Sequence, residues 1–338
     1  MGSHEHGTAE SARSDTGAPG HDRARETGEA PASSPALPTA PPAAPGPSPT
    51  PGPGGAQGPA YLNSALVAHP PLTSAAKARR FGTWYLAEQH LRGMKGYLDI
   101  VIAYSVGNPL VYLFAMGIGL ASLVDSNNAG GAFGGASYLQ FIAPALLASA
   151  AMMTAAGEFT YAVMSGFKWW KTYYGPLATP VTPEQICQGH ALAVTLRIVA
   201  QSAVYLVIVL FFGAATSGWA WATILTSSLA GVAFGLPLMA YSATVTVEKG
   251  QFALVQRFIV MPLFLFSGTL FPLSTLPWFL QWIGWISPVW HATELGRVLS
   301  YGHAEPGWLS AVHVIYLLVL AGGGLVLARR VYARRLEG

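Results

Sequence analysis

Charged side chains are nearly missing from most of this chain. They make up 10% of the 338 residues, while 52% are hydrophobic; a soluble domain carries about 25% charged residues. From Asp99 to Ala328 thirteen of 230 residues are charged. No soluble fold of that length stays in water with so few, so the solvent of this region is lipid. Cysteine is nearly absent too. Cys187 stands alone, which excludes an intrachain disulfide and a cysteine-cluster metal site. No GxxxxGK[ST], HExxH or GxSxG run occurs, so the chain has no P-loop to cradle nucleotide phosphates and no familiar zinc-protease or hydrolase motif.

What charge there is lies unevenly. Residues 1–60 carry −3 and the remainder +6, for a net +3. The basic excess sits beside hydrophobic spans and is read as membrane orientation, not as nucleic-acid binding. Residues 1–60 are polar and, from Ala30 to Ala60, dominated by Pro, Ala, Gly and Ser. Such a segment cannot bury enough apolar surface to offset its ordering entropy. It is expected to be disordered, and His4 and His6 belong to a loose terminus, not to a metal site. It lacks the basic region and apolar core of a secretory signal. The expected domains are a disordered cytoplasmic tail, 1–74, and a transmembrane domain, 75–338. In 75–98, Phe81, Trp84, Tyr85, Leu91 and Met94 interleave with Lys77, Arg79, Arg80, Arg92 and Lys95, which suits an amphipathic helix lying in the cytoplasmic interface.

A bilayer core of about 30 Å needs roughly 20 helical residues. Six stretches qualify, near 99–123, 138–163, 190–213, 219–244, 253–273 and 308–328. Pro109, Pro144, Pro237 and Pro262 fall inside them, as lipid-buried helices tolerate when neighbours satisfy the freed carbonyls. With a cytoplasmic N terminus, thirteen Lys and Arg fall inside and Arg297 alone outside. The asymmetry predicts an all-α, multi-pass protein of six spans, both termini inside, in a bacterial inner membrane.

Two connections are unusually informative. The first, FKWWKTYYGPLATPVTPEQICQGHA at 167–191, is far longer than the two to six residues a plain turn needs. Thr182-Pro183-Glu184 reads as a helix start, with Thr182 as N-cap and Pro183 in the first turn. A short cytoplasmic helix parallel to the membrane is expected there, and the length of the loop suits docking onto another molecule. The second, Phe266 to Arg297, is divided by Pro277 and Pro288 and carries Trp278, Trp282, Trp285 and Trp290, which suit the headgroup region. It reads as a pair of short re-entrant helices on the outer side.

These blocks carry a resemblance. YGPLATPVTPEQICQGH at 174–190 and LFLFSGTLFPLSTLPWFLQWIGWISPVWHATELGR at 263–297 are similar to the cytoplasmic loop and the span-five signature of the ABC-2 type exporter permeases, particularly the nodulation-factor (NodJ) and drug-resistance branch. Spacing extends the resemblance over about 78–335. It implies a homodimeric permease in the lipid bilayer, driven by two separate ATP-binding cassette ATPase subunits. ATP and Mg would bind those partners, so this chain would be no enzyme and hold no cofactor. It also implies an interfacial helix before span one, a coupling helix after span two and a re-entrant hairpin before span six. Many relatives have Gly-Glu where this chain has Gly189-His190, so a contact between that glutamate and the ATPase does not carry over.

Candidate residues follow. Tyr174, Leu177, Pro180, Pro183, Glu184 and Ile186 form the expected coupling loop, with Tyr174, Leu177 and Ile186 as apolar anchors for the ATPase. Intramembrane charges are functional candidates by default. Glu158 and Arg197 either pair or reach the interface separately; Asp99 and Asp125 sit at span ends. In the external segment Trp278, Trp282, Trp285, His291, Glu294 and Arg297 are singled out. Glu294 and Arg297 are placed to pair at i, i+3, and His291 suits a structural role better than a catalytic one. The expected cargo is amphiphilic or hydrophobic: a lipid-linked glycan, a lipo-oligosaccharide or a drug. A stand-alone proton-coupled transporter would need midplane ionisable groups, which spans four and six lack. A membrane transferase would need clustered acid or His residues, and His291, Glu294, His303 and Glu305 form no familiar arrangement.

Overall fold

The computed structural model describes residues 71–103, 107–127, 133 and 135–338. The disorder expected of 1–60, nearly all of the tail domain 1–74 and part of the Gly-rich turn after span one lie outside them. Every regular element among the described residues is helical. Seven helices position the sites below: α1 Pro71–Met94, α2 Tyr138–Glu158, α3 Pro183–Phe211, α4 Thr223–Thr244, α5 Trp278–Trp285, α6 Pro288–Tyr301 and α7 Gly307–Glu337.

Among the described residues, four helical runs are long and apolar enough to cross a membrane: Tyr138–Trp169, Pro183–Phe211, Ala220–Thr244 and Gly307–Glu337. They coincide with the second, third, fourth and sixth expected spans. The fifth falls on the shorter apolar helix Gln251–Phe266, about 24 Å long at 1.5 Å per residue. The first falls on Leu98–Ile102 and on the run made of Asn108–Phe114, Ala115–Leu120 and Ala121–Asn127. Ala115–Leu120 and, within the fifth, Gln256–Val260 are wide π turns.

Helix starts are written in side chains. Ser137 and Gln140 form a reciprocal capping box at α2, and Thr182 and Gln185 form one at α3. Each box satisfies backbone N–H groups that the first turn leaves open. Thr182 and Pro183 occupy the N-cap and first-turn positions expected of them. The short separate cytoplasmic helix is not found. After a single 3₁₀ turn at Pro176–Ala178, α3 runs unbroken for 29 residues from loop to span. Nothing in that stretch can stop it: no proline follows Pro183 until Pro237, and the lone Gly189 costs only about 1 kcal/mol.

α4 lies at the centre, packed against α7, α2, α6 and α3. Its inward positions are small, among them Ala230, Gly231, Ala233 and Ala240, so neighbouring backbones approach closely, as in membrane bundles generally. One close approach is at Pro237, where a Cβ on Gly324 of α7 would lie 2.5 Å from the proline ring. α5 and α6, 8 and 14 residues long, are each too short to cross a bilayer. Pro277 and Pro288 divide them as expected, and the Ser287 side chain accepts from the Val289 N–H at 3.2 Å to start α6.

Candidate functional site

The long loop after α2 is held by a frame of buried aromatic and amide groups. Tyr173 is 2% exposed, and its hydroxyl lies 2.6 Å from His190 Nδ1 while the Tyr332 hydroxyl of α7 donates to it at 3.2 Å. Tyr173 has one proton, so it gives it to His190, which is therefore an acceptor at Nδ1. Burial pushes the Tyr173 phenol above its ordinary range, so the proton stays. His90 of α1 stacks on His190 with centroids 4.4 Å apart. Burial holds His90 below the usual histidine value, which keeps this face uncharged. Phe167 packs edge-on against Tyr173, and Arg335 lies 4.1 Å over the Phe167 ring while donating to the Ala243 and Val245 carbonyls.

α1 is fastened to the same frame. Gln185 accepts from the Thr182 N–H at 3.1 Å through one amide atom and donates to the Arg79 carbonyl at 2.6 Å through the other. Four residues on, Gly189 faces α1 so closely that a Cβ would lie 2.5 Å from Leu86 Cβ and 3.0 Å from the Thr83 carbonyl. Both obstacles are fixed parts of α1, so a larger side chain must push the helices apart. Gly189→Val is expected to leave the spans inserted but to free α1; protease cleavage around Arg79 and Arg80 should then speed up at least about tenfold, the weight of about 1.4 kcal/mol. Unchanged cleavage would refute the contact.

The candidate loop residues divide into two groups. Tyr174 (43% exposed) and Pro180 are exposed, and Leu177 and Glu184 are half-buried. Pro183 and Ile186 are buried. Ile186, 2% exposed, is thus an anchor to the chain's own core and presents nothing to a partner. The exposed face includes two side chains the sequence reading did not single out, Trp169 and Trp170, the latter 80% exposed.

Inside the bundle, Glu158 of α2 and Arg197 of α3 do pair: Arg197 Nη1 donates to Glu158 Oε1, with the side chains 17% and 15% exposed. They line a cavity of about 360 Å³ together with Ser149, Thr154, Gln201 and Phe264. Thr154 donates to Gln201 at 2.8 Å. Ser149 Oγ and Arg197 Nε are buried without a partner among the described residues. The cavity therefore has apolar walls and a polar edge made of one ion pair and neutral groups that include Ser149, Thr154, Gln201 and Gln256.

At the other end, Arg297 is 2% exposed. It donates to Glu294 at 2.7 Å, the expected i, i+3 pair, and also to the Gly268 carbonyl at 2.6 Å and the Phe141 carbonyl at 3.3 Å. Its guanidinium lies 3.6 Å from the Phe141 ring centroid, where the ring face favours a cation. One side chain thereby joins α6, α2 and the turn after Phe266. His291 is buried at 5%, while Trp278, Trp282 and Trp285 are exposed at 83%, 53% and 54%. That is the distribution expected of tryptophans at a headgroup boundary.

Residues 83–301 match the ABC-2 type transporter family. This chain belongs to that family. The ABC-2 match begins in α1 and ends at the last residue of α6, so it takes in the cavity, the external helix pair and the loop frame apart from Arg79, Tyr332 and Arg335. Relatives agree. Nodulation protein J of Rhizobium meliloti is 29% identical over 220 residues, covering 62% of this chain and 79% of the relative. Nodulation protein J of Sinorhizobium fredii is 29% identical over 254 residues, covering 72% and 91%. That of Neorhizobium galegae is 27% identical over 208 residues, covering 60% and 74%. The chain is the membrane component of an ABC transporter.

Proposed function

We propose that this ABC-2 protein is the permease of an exporter that moves an amphiphile outward, driven by separate ATPase subunits that dock on loop 168–188. In this reading the chain is a homodimer in a bacterial inner membrane. It has six spans, counting 99–127 and Gln251–Phe266, and both termini are cytoplasmic. α1 lies in the cytoplasmic interface, and α5 and α6 form a re-entrant hairpin on the outer side. Residues 1–74 are a cytoplasmic tail and 75–338 the transmembrane domain. The ATP and Mg belong to the partner. The cargo class is a lipid-linked glycan, a lipo-oligosaccharide or a hydrophobic drug. The cavity beside Glu158 and Arg197 supports it, because apolar walls with a polar edge suit a molecule that has both characters.

The observation that carries the reading is the split within the loop. Tyr173, Ile186 and His190 fix it to the bundle, while Trp170, Tyr174 and Pro180 stay exposed. A rigid base with an exposed aromatic tip is what a mechanical contact with a motor subunit requires, and large aromatic side chains dominate such interfaces. Trp170→Ala with Tyr174→Ala should therefore lower copurification of a coexpressed ATP-binding cassette ATPase subunit, each substitution costing about 2 kcal/mol of binding, with permease abundance unchanged. Full retention of the ATPase by the double variant would rule out this docking face.

A further inference from the structure

We propose that His291, His313 and Glu305 form a proton-holding clamp that fastens the α5–α6 pair to α7, and that acid on the outer face releases it. The argument follows the protons. His291 Nε2 lies 2.9 Å from the Trp285 carbonyl, which can only accept, so Nε2 carries hydrogen. A neutral His291 is then bare at Nδ1 and accepts there. His313 Nδ1, 2.6 Å away, must donate. The other nitrogen of His313 lies 3.0 Å from Glu305 Oε1. Two bare acceptors cannot face each other at that distance. With His291 neutral, either His313 is an imidazolium against a carboxylate, or Glu305 is a carboxylic acid donating to His313; with the same proton on His291 Nδ1 instead, His291 donates to His313 and His313 Nε2–H donates to Glu305. All three assignments hold the same number of protons, with one labile proton shared along the chain. Ser310 Oγ donates to Glu305 Oε2 at 2.5 Å, and the His313 and Glu305 side chains are 0% and 7% exposed.

The chain of bonds crosses four pieces of the protein: the end of α5, α6, the segment before α7, and α7 itself. Trp290 sets its ring against both histidines at 5.0 Å, and Tyr316 stacks on His291 at 4.0 Å while donating to the Ile286 carbonyl. Other titratable groups on α6, the segment 302–306 and the first turns of α7 are Tyr301, the mutually paired Glu294 and Arg297, His303 and Tyr316. α2 brings Tyr138, which donates to the Leu270 carbonyl. α5 brings none, and Tyr241 of α4 lies at its opposite end.

A further proton that lands on His291 Nδ1 while His313 Nδ1 holds its own sets N–H against N–H across 2.6 Å and removes the bond that joins the two helices. Burial already holds His291 below its ordinary value, at about 4, whereas a released imidazole returns to about 6.5. The released form binds the extra proton more tightly. The contribution of His291 to the clamp is therefore fully present above about pH 6.5 and is lost as pH falls through about 4.

The test uses the full chain in nanodiscs, with Cys187→Ala and spin labels at Phe279→Cys on α5 and Ile315→Cys on α7, diluted with unlabelled chain. Pulsed electron resonance should give one narrow distance at pH 7.5 and a second population at pH 4.5, half formed inside that window. His291→Gln, which takes no second proton, should keep the narrow distance at both pH values. An unchanged distribution in the otherwise unsubstituted chain, or a change in His291→Gln equal to it, would overturn the clamp. Where His291→Gln does not insert, the titration alone decides, and a midpoint outside about pH 4 to 6.5 overturns it. Nanodiscs expose both faces, so this result does not depend on the proposed topology. Acidifying only the exterior of oriented vesicles tests the outer placement separately.

Discussion

Replacing Arg297 with Met should melt the external helix pair at temperatures that the unsubstituted chain withstands. Arg297 is buried and fully satisfied: its donors meet Glu294, Gly268 and Phe141, and its plane covers the Phe141 ring. Methionine fills part of the volume but withdraws a donor from two buried carbonyls and a carboxylate. Breaking such a buried pair from one side costs about 3 to 5 kcal/mol. Glu294→Gln should cost clearly less, because the arginine keeps both carbonyls and still donates to the amide oxygen. Arg297→Lys should fall between them, since one ammonium cannot reproduce the planar three-way fork. Loss of monodispersity on heating in detergent ranks the three. An Arg297→Met protein as stable as the parent would mean that the arginine is not a structural bond.

The second large effect is expected at the cavity. Glu158→Gln or Arg197→Met each leaves one charge facing apolar walls without its partner. Both side chains are more than four-fifths buried, so little solvent remains to screen the survivor. Each single substitution should lower the yield of folded permease and cut ATPase stimulation in the reconstituted complex by at least about tenfold, the weight of about 1.4 kcal/mol in a barrier. The exchanged pair, Glu158→Arg with Arg197→Glu, should recover much of the folded yield, since the attraction survives the swap. If the double exchange is no better than the singles, each residue has a separate role, and the ion pair is incidental.

Local chemistry made the helix starts legible. Thr182-Pro183 and Pro288 act through the backbone atoms next to them, and one sequence suffices to read that. The scarcity of charge made the spans legible, and it reduced the intramembrane candidates to Glu158 and Arg197 before any packing was known. What lay hidden was whatever depends on partners distant in the chain. Arg297 looked like half of a local pair; its two carbonyl acceptors lie 156 and 29 residues away. Ile186 looked like a docking anchor because apolar loop residues read alike whether they face a partner or the core. The Tyr173–His190–Tyr332 chain left one trace, a histidine where the resemblance implied an acid, and nothing local said that a buried tyrosine would donate to it. His313 and Glu305 were similarly mute, since their meaning lies in tautomers fixed by a carbonyl at the end of α5.

The contact of Gly324 with the Pro237 ring limits how the bundle can move. Shear between helices needs side chains that exchange rotamers as they slide. Here backbone meets a closed ring, and neither side has a rotamer to change. At this contact α4 and α7 cannot slide past each other without separating, and α6 packs on both. An alternating cycle then has to find its hinges on the opposite flank. That flank carries the wide turns Ala115–Leu120 and Gln256–Val260, where the helical register is already loosened. The cavity lies outside the group of α4, α6 and α7: α2, α3 and the first and fifth apolar segments line it, and those three helices contribute no lining residue.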